Sequence, residues 1–123
     1  MADESLPPWN PYDPDCPTRM MLDRIGDKWT VLVLGLLSAG PLRFNALRRQ
    51  VPGISQKMLS QTLKDMERDG LVDRSAFATV PVTVEYTITP LGQSLAATVA
   101  QLVTWATRHA DQVLAARARY QSR

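Results

Sequence analysis

The chain has 123 residues, a formal net charge of +2 and 45% hydrophobic residues, enough for one buried core and too little for several domains. One cysteine, Cys16, excludes an intrachain disulfide and any cysteine-rich metal site. The longest apolar run, Val31 to Leu37, is too short to span a bilayer, and the acidic start lacks a signal-type hydrophobic region, so a cytoplasmic protein is expected.

Residues 1–14 carry Pro7, Pro8, Pro11 and Pro14 with Trp9 and Tyr12. That density of proline excludes helix and predicts an extended arm, either pinned by its aromatics or free as a frayed end. The folded domain is expected over residues 15–119, with a tail at 120–123. Pro17 suits the first position of a helix and Cys16 its extended N-cap, so the first helix opens here. Met21, Leu22 and Ile25 form its stripe, and Gly26 ends it. Asp27 caps a second helix, Lys28 to Ser38, which is apolar nearly all round and therefore central to the core. Gly40-Pro41 is a turn. A short third helix follows at about Phe44 to Gln50, with Phe44 and Leu47 inward and Arg48 and Arg49 outward.

Val51-Pro52-Gly53 leads into the best-signed helix of the chain. Ser55 is a good N-cap and Gly70 a good C′ residue. Leu59, Thr62, Leu63 and Met66 form an inward face at 3.6-residue spacing. Lys57, Ser60, Gln61, Lys64 and Arg68 form an outward face without carboxylates. Charge is segregated in the same way. Residues 1–27 hold Asp3, Glu4, Asp13, Asp15, Asp23 and Asp27 against Arg19 and Arg24, whereas residues 28–64 hold Lys28, Arg43, Arg48, Arg49, Lys57 and Lys64 and no acid. A short helix, a Pro-Gly turn and a polar-faced helix in succession make a helix-turn-helix, and the unbroken basic segment points to a polyanionic partner.

After Gly70 the period changes to two. Val82, Val84, Tyr86 and Ile88 alternate with Thr83, Glu85 and Thr87 as a half-buried strand. Leu71 to Phe77 is its expected partner across a loop at residues 78–81, which makes a wing. If Phe77 faces Val82, Arg74 faces Glu85, and an ion pair there competes with a phosphate contact as the role of Arg74. Thr89-Pro90 caps the last helix. Its stripe of Leu91, Leu95, Val99, Leu102, Ala106, His109 and Val113 is close to a heptad. Unbroken to about Arg119, this helix would be roughly 45 Å long. That exceeds what so small a domain can cover, so the surplus stripe should meet another subunit.

These motifs resemble the HxlR family of bacterial winged helix-turn-helix transcription regulators. The resemblance is carried by Cys16-Pro17, Gly26-Asp27-Lys28-Trp29, Arg43-Phe44 with Leu47, Gly53 to Ser60, Asp69 to Arg74, and Pro81 with Val84 to Pro90. Gly92 and Trp105 complete it, over about residues 15–110. It implies a mainly α fold with a small β-hairpin wing (α+β). It also implies a homodimer built from the first and last helices on a roughly palindromic operator. Met21, Leu22, Leu102, Trp105 and His109 are the dimerisation candidates. The family's wing often carries Pro-Pro and then a basic residue; here Val82 and Thr83 follow Pro81, so a wing–phosphate contact is not carried over.

The expected partner is double-stranded DNA. Phosphate contacts fall to Arg43, Arg48, Arg49 and Lys64, whose alternative is solvated surface charge. Base reading falls to Gln56, Lys57, Ser60 and Gln61, since Gln suits adenine and Lys guanine; their alternative is backbone contact alone. Ser55 caps its helix and can ligate a phosphate. Cys16 at a helix N-terminus is a candidate redox or electrophile sensor, because the dipole favours a thiolate while Asp13 and Asp15 oppose one. The alternative is an inert cysteine at the dimer seam. His109 alone is a poor metal ligand and reads as an interface or surface residue. Trp29 and Trp105 read as core and interface anchors. No cofactor, metal or membrane partner is expected. With no nucleophile–base pair and no phosphate loop, neither is an enzyme. A winged helix that docks proteins without touching DNA is the competing function.

Overall fold

The computed structural model describes residues 6–123. Residues 1–5, the start of the proline-rich arm, lie outside the described residues. Residues 6–16 run through tight turns. The N–H of Asp13 bonds to the carbonyl of Asn10 at 3.1 Å and that of Cys16 to Asp13 at 3.0 Å, while Trp9 and Tyr12 are exposed.

Helix α1 spans Pro17–Gly26 and α2 spans Lys28–Leu37. The Asp27 carboxylate accepts from the Trp29 N–H at 2.9 Å and so caps α2. Strand β1 (Leu42–Arg43) precedes α3 (Phe44–Gln50) and α4 (Gln56–Arg68); the hairpin strands β2 (Val72–Phe77) and β3 (Thr83–Ile88) precede α5 (Pro90–Gln121). Val33, Leu34 and Leu37 of α2, Leu47 of α3 and Leu59, Leu63 and Met66 of α4 are fully or almost fully buried together. The nearly all-apolar α2 therefore lies at the centre, as its sequence predicts.

Both ends of α4 are closed by their own residues. The Ser55 hydroxyl accepts from the Met58 N–H at 3.0 Å. At the other end Gly70 turns left-handed with φ +78. There the N–H of Leu71 reaches the Met66 carbonyl at 2.9 Å and that of Gly70 the Glu67 carbonyl at 3.1 Å, the paired bonds of a Schellman motif. Leu71 and Met66 are both buried at this corner.

The three-stranded antiparallel sheet has the order β1-β3-β2. Two features differ from the sequence expectation. Strand β1 carries no period, because two residues cannot show one. The hairpin register is also shifted by one: Phe77 lies opposite Thr83, Arg74 opposite Tyr86 and Ser75 opposite Glu85. The shift has a plain cause. Only this register sets Val72 beside Ile88 and Ala76 beside Val84, so that both strands turn their apolar residues to the same face. Arg74 is thereby removed from Glu85, whose partner on β1 is Arg43.

Helix α5 has 32 residues, about 48 Å. Thr89 caps it, accepting from the Gly92 N–H at 3.0 Å while its own hydroxyl donates to the Gly70 carbonyl at 2.6 Å. Its first turns are held by Gly92, Ala96 and Val99, all buried. Of the expected stripe, Leu91 is exposed at the start of the helix and Leu102 and Val113 beyond Val99; Val103, Trp105, Leu114 and Tyr120 beside it are exposed as well. Helix α1 likewise has no fully buried residue. Among the described residues no helix is long and apolar enough to cross a membrane.

Candidate nucleic-acid interface

Helix α4 buries Leu59, Thr62, Leu63 and Met66, and this fixes which side faces out. Gln56, Lys57, Ser60, Gln61 and Lys64 line one continuous open surface along it. No other element covers that surface, and the long chains of Gln56, Lys57, Gln61 and Lys64 are exposed. Gln61 is not free, however. Its Nε2 donates to the Asp65 carboxylate at 3.0 Å. The absence of acid over residues 56–64 is true of the sequence, but the next residue reaches back one turn.

Beside this surface runs a groove of about 520 Å³ between α4 and the hairpin. Gln56, Ser60 and Lys64 form one wall and Arg74 the other, with Tyr86 and Phe44 between them and Glu67 at the same groove. Arg74 is the charged residue that the alternation of β2 and β3 puts on the helix-facing side. No carboxylate among the described residues lies within 4.0 Å of its guanidinium. The expected register, one residue off, sets Glu85 opposite Arg74 and so puts an ion pair in competition with a phosphate contact; the observed register sets Tyr86 there. The missing signal was the matching of Val72 to Ile88.

Arg43 and Arg49 share a second groove, between the start of α3 and the wing, with Glu85 also on its lining. Arg48 is exposed on the last turn of α3 and borders neither groove. The Ser55 hydroxyl is engaged as the α4 cap. The wing tip is apolar: Phe77, Val80 and Val82 are exposed.

Cys16 is a buried free thiol at the N-cap of α1. Burial raises its pKa, but hydrogen bonds from the Thr18 side chain and from the backbone of Thr18, Asn10 and Arg19 together outweigh it and hold the thiol below its usual value. On the remaining dimerisation candidates, Leu22, Leu102 and Trp105 are exposed and Met21 and His109 half-buried. The His109 ring stacks on Trp105 at 4.7 Å, and its Nδ1 lies 2.8 Å from the Trp105 carbonyl.

Residues 24–114 match the model of the HxlR-like helix-turn-helix family. This chain belongs to the HxlR family. It is 40% identical over 114 residues to the uncharacterized HTH-type transcriptional regulator YtfH of Escherichia coli, covering 93% of this chain and 90% of YtfH. The solved structure of the ytfH regulator from Salmonella typhimurium superposes with a TM-score of 0.83 at 41% identity, over 89% of this chain and 97% of that one. The redox regulator HypR, solved in reduced and oxidised forms, is also similar: its reduced form has a TM-score of 0.73 at 36% identity, over 80% of this chain and 98% of HypR. This HxlR-family chain is thus a DNA-binding transcriptional regulator with a winged helix-turn-helix fold. In that fold α3 and α4 are the helix-turn-helix and β2–β3 is the wing.

Proposed function

We propose that the protein acts in the cytoplasm, without catalytic activity, as a homodimer on a pseudo-palindromic operator. The exposed N-terminal half of α4 enters the major groove. Gln56, Lys57, Ser60 and Gln61 meet base edges there, Gln pairing with adenine and Lys with guanine. Arg43, Arg48, Arg49, Lys64 and the Ser55 end of α4 hold phosphates. Arg74 joins Lys64 across the α4–wing groove as a further phosphate ligand. The observation that carries this is the uncovered polar and cationic face of α4 beside a helix-facing arginine.

The second subunit is supported by surface the chain leaves open. The distal half of α5 and the outer side of α1 expose Leu22, Leu102 and Trp105, and a twin copy would bury them. Two recognition helices would then stand about 34 Å apart, one turn of DNA. Cys16 fits a redox or electrophile switch of this dimer, supported by its lowered pKa and by the likeness to a redox regulator. With a single cysteine, its reversible products are a disulfide between subunits or a mixed disulfide with a small thiol.

Selection of bound duplexes from random DNA, repeated with and without oxidant, tests the whole reading. The expected product is a sequence with two inverted half-sites, enriched differently by the oxidised protein. Recovery of unselected DNA, or of single half-sites, would overturn it. Identical enrichment by reduced, oxidised and Cys16→Ser protein would remove the switch alone.

A further inference from the structure

Arg24 of α1 joins the carboxylates of Asp65 in α4 and of Asp69, the C-cap of that helix. Its Nε donates to Asp69 at 2.8 Å and its Nη1 to Asp65 at 3.3 Å. The other Asp65 oxygen accepts from Gln61 at 3.0 Å and from Arg68 at 3.1 Å. The two arginines are not equal anchors. The Arg68 side chain is 67% exposed and faces solvent, where an ion pair is weak and mobile. Arg24 is 16% exposed, Asp65 19% and Asp69 8%. In that drier setting a guanidinium bridging two carboxylates holds its geometry.

Gln61 hangs on this anchor. With one N–H donated to Asp65, its Oε1 and its second N–H remain, the acceptor and donor that meet the N6 amino group and N7 of adenine. Free glutamine must freeze three torsions to do this; a tethered one has fewer to fix, and preorganisation of that kind raises affinity for the matching partner alone.

We propose that Arg24 is a positioning residue for sequence reading, acting through Asp65 on Gln61. The inference rests on the proposed reading face of α4. It also makes α1, the helix whose N-cap is Cys16, a fixed support for one base-reading side chain.

The test uses full-length chain, the selected operator and a scrambled duplex of equal length at one salt concentration. Arg24→Lys keeps the charge but loses the fork; Asp65→Glu keeps the charge but moves the carboxylate. Each variant is expected to lose about 3- to 10-fold in the operator-to-scrambled affinity ratio, the factor expected from freeing one long side chain. Binding to scrambled DNA should be unchanged. The loss should map to one base pair per half-site and vanish in a Gln61→Ala background. Equal losses on both duplexes, a loss spread over the operator, or a loss that persists without Gln61 would overturn the proposal. Wild-type chain that fails to distinguish the two duplexes would instead remove the reading face, and this proposal with it.

Discussion

A single glycine shows how closely α5 is docked. A Cβ at Gly92 would run into the Leu71 carbonyl and come within 2.7 Å of Ile88 Cγ1, whereas one at Gly35 of α2 meets nothing within 4 Å. Backbone cannot step aside as a flexible side chain can. Gly92→Ala should therefore destabilise by about 2–3 kcal/mol, while Gly35→Ala should stabilise by about 0.5–1 kcal/mol through helix propensity. Urea unfolding of the two variants beside wild type checks both signs. At the reading face, Lys57→Ala should cost about 1–3 kcal/mol on the operator and relax preference at one base pair per half-site. Fluorescence anisotropy on singly substituted operators measures this, and equal losses on random DNA would show that Lys57 reads nothing. For Cys16 the folded pKa lies below the unfolded one. Ionisation thus adds stability as pH rises through the folded value, completes that gain above the unfolded value and adds none in acid. Alkylation by iodoacetamide should accordingly have its pH midpoint below that of an ordinary thiol, and regain the ordinary midpoint in denaturant.

At the scale of elements, punctuation was more legible than partnership. Pro17, Asp27, Ser55, Gly70 and Thr89 each sit at the helix end their chemistry predicts. Such signals are local, since the capping side chains bond to a neighbour two or three residues away. What the sequence concealed was spatial. Strand β1 is too short to carry a pattern, and the hairpin register followed from which apolar residues share a face rather than from the loop. The same error hid Arg74. The tether on Gln61 escapes a face of Lys57, Ser60, Gln61, Lys64 and Arg68 that leaves out Asp65, whose carboxylate bonds to both Gln61 and Arg68. The wing's apolar tip and the cation at its base lead to separable behaviour. Arg74→Ala should lower the slope of log affinity against log salt by about 1, as loss of one phosphate contact does. Val82→Ala should leave that slope unaltered. Titrations between low and moderate salt distinguish the two.

For the molecule as a whole, the helical order and the helix-turn-helix could be read from residue types, while its assembly could only be inferred from what stays uncovered. The stripe on α5 predicted surplus apolar surface, and Leu102, Trp105, Val113 and Leu114 do remain exposed on a single chain. Leu102→Glu would set a charge on each side of a twofold seam, where desolvation and like charge both oppose association. Sedimentation equilibrium should show a dimer for wild type and a shift toward monomer for the variant, with α4 and the core unperturbed in near-ultraviolet circular dichroism.

The length of α5 beyond Val99 has a bearing on gene dosage. If operator occupancy requires two chains, then while assembly is incomplete it rises with the square of their number, and a modest change in synthesis becomes a steeper change in transcription. A helix overhang that looks wasteful on one copy would then be what makes the promoter respond to abundance as well as to chemistry.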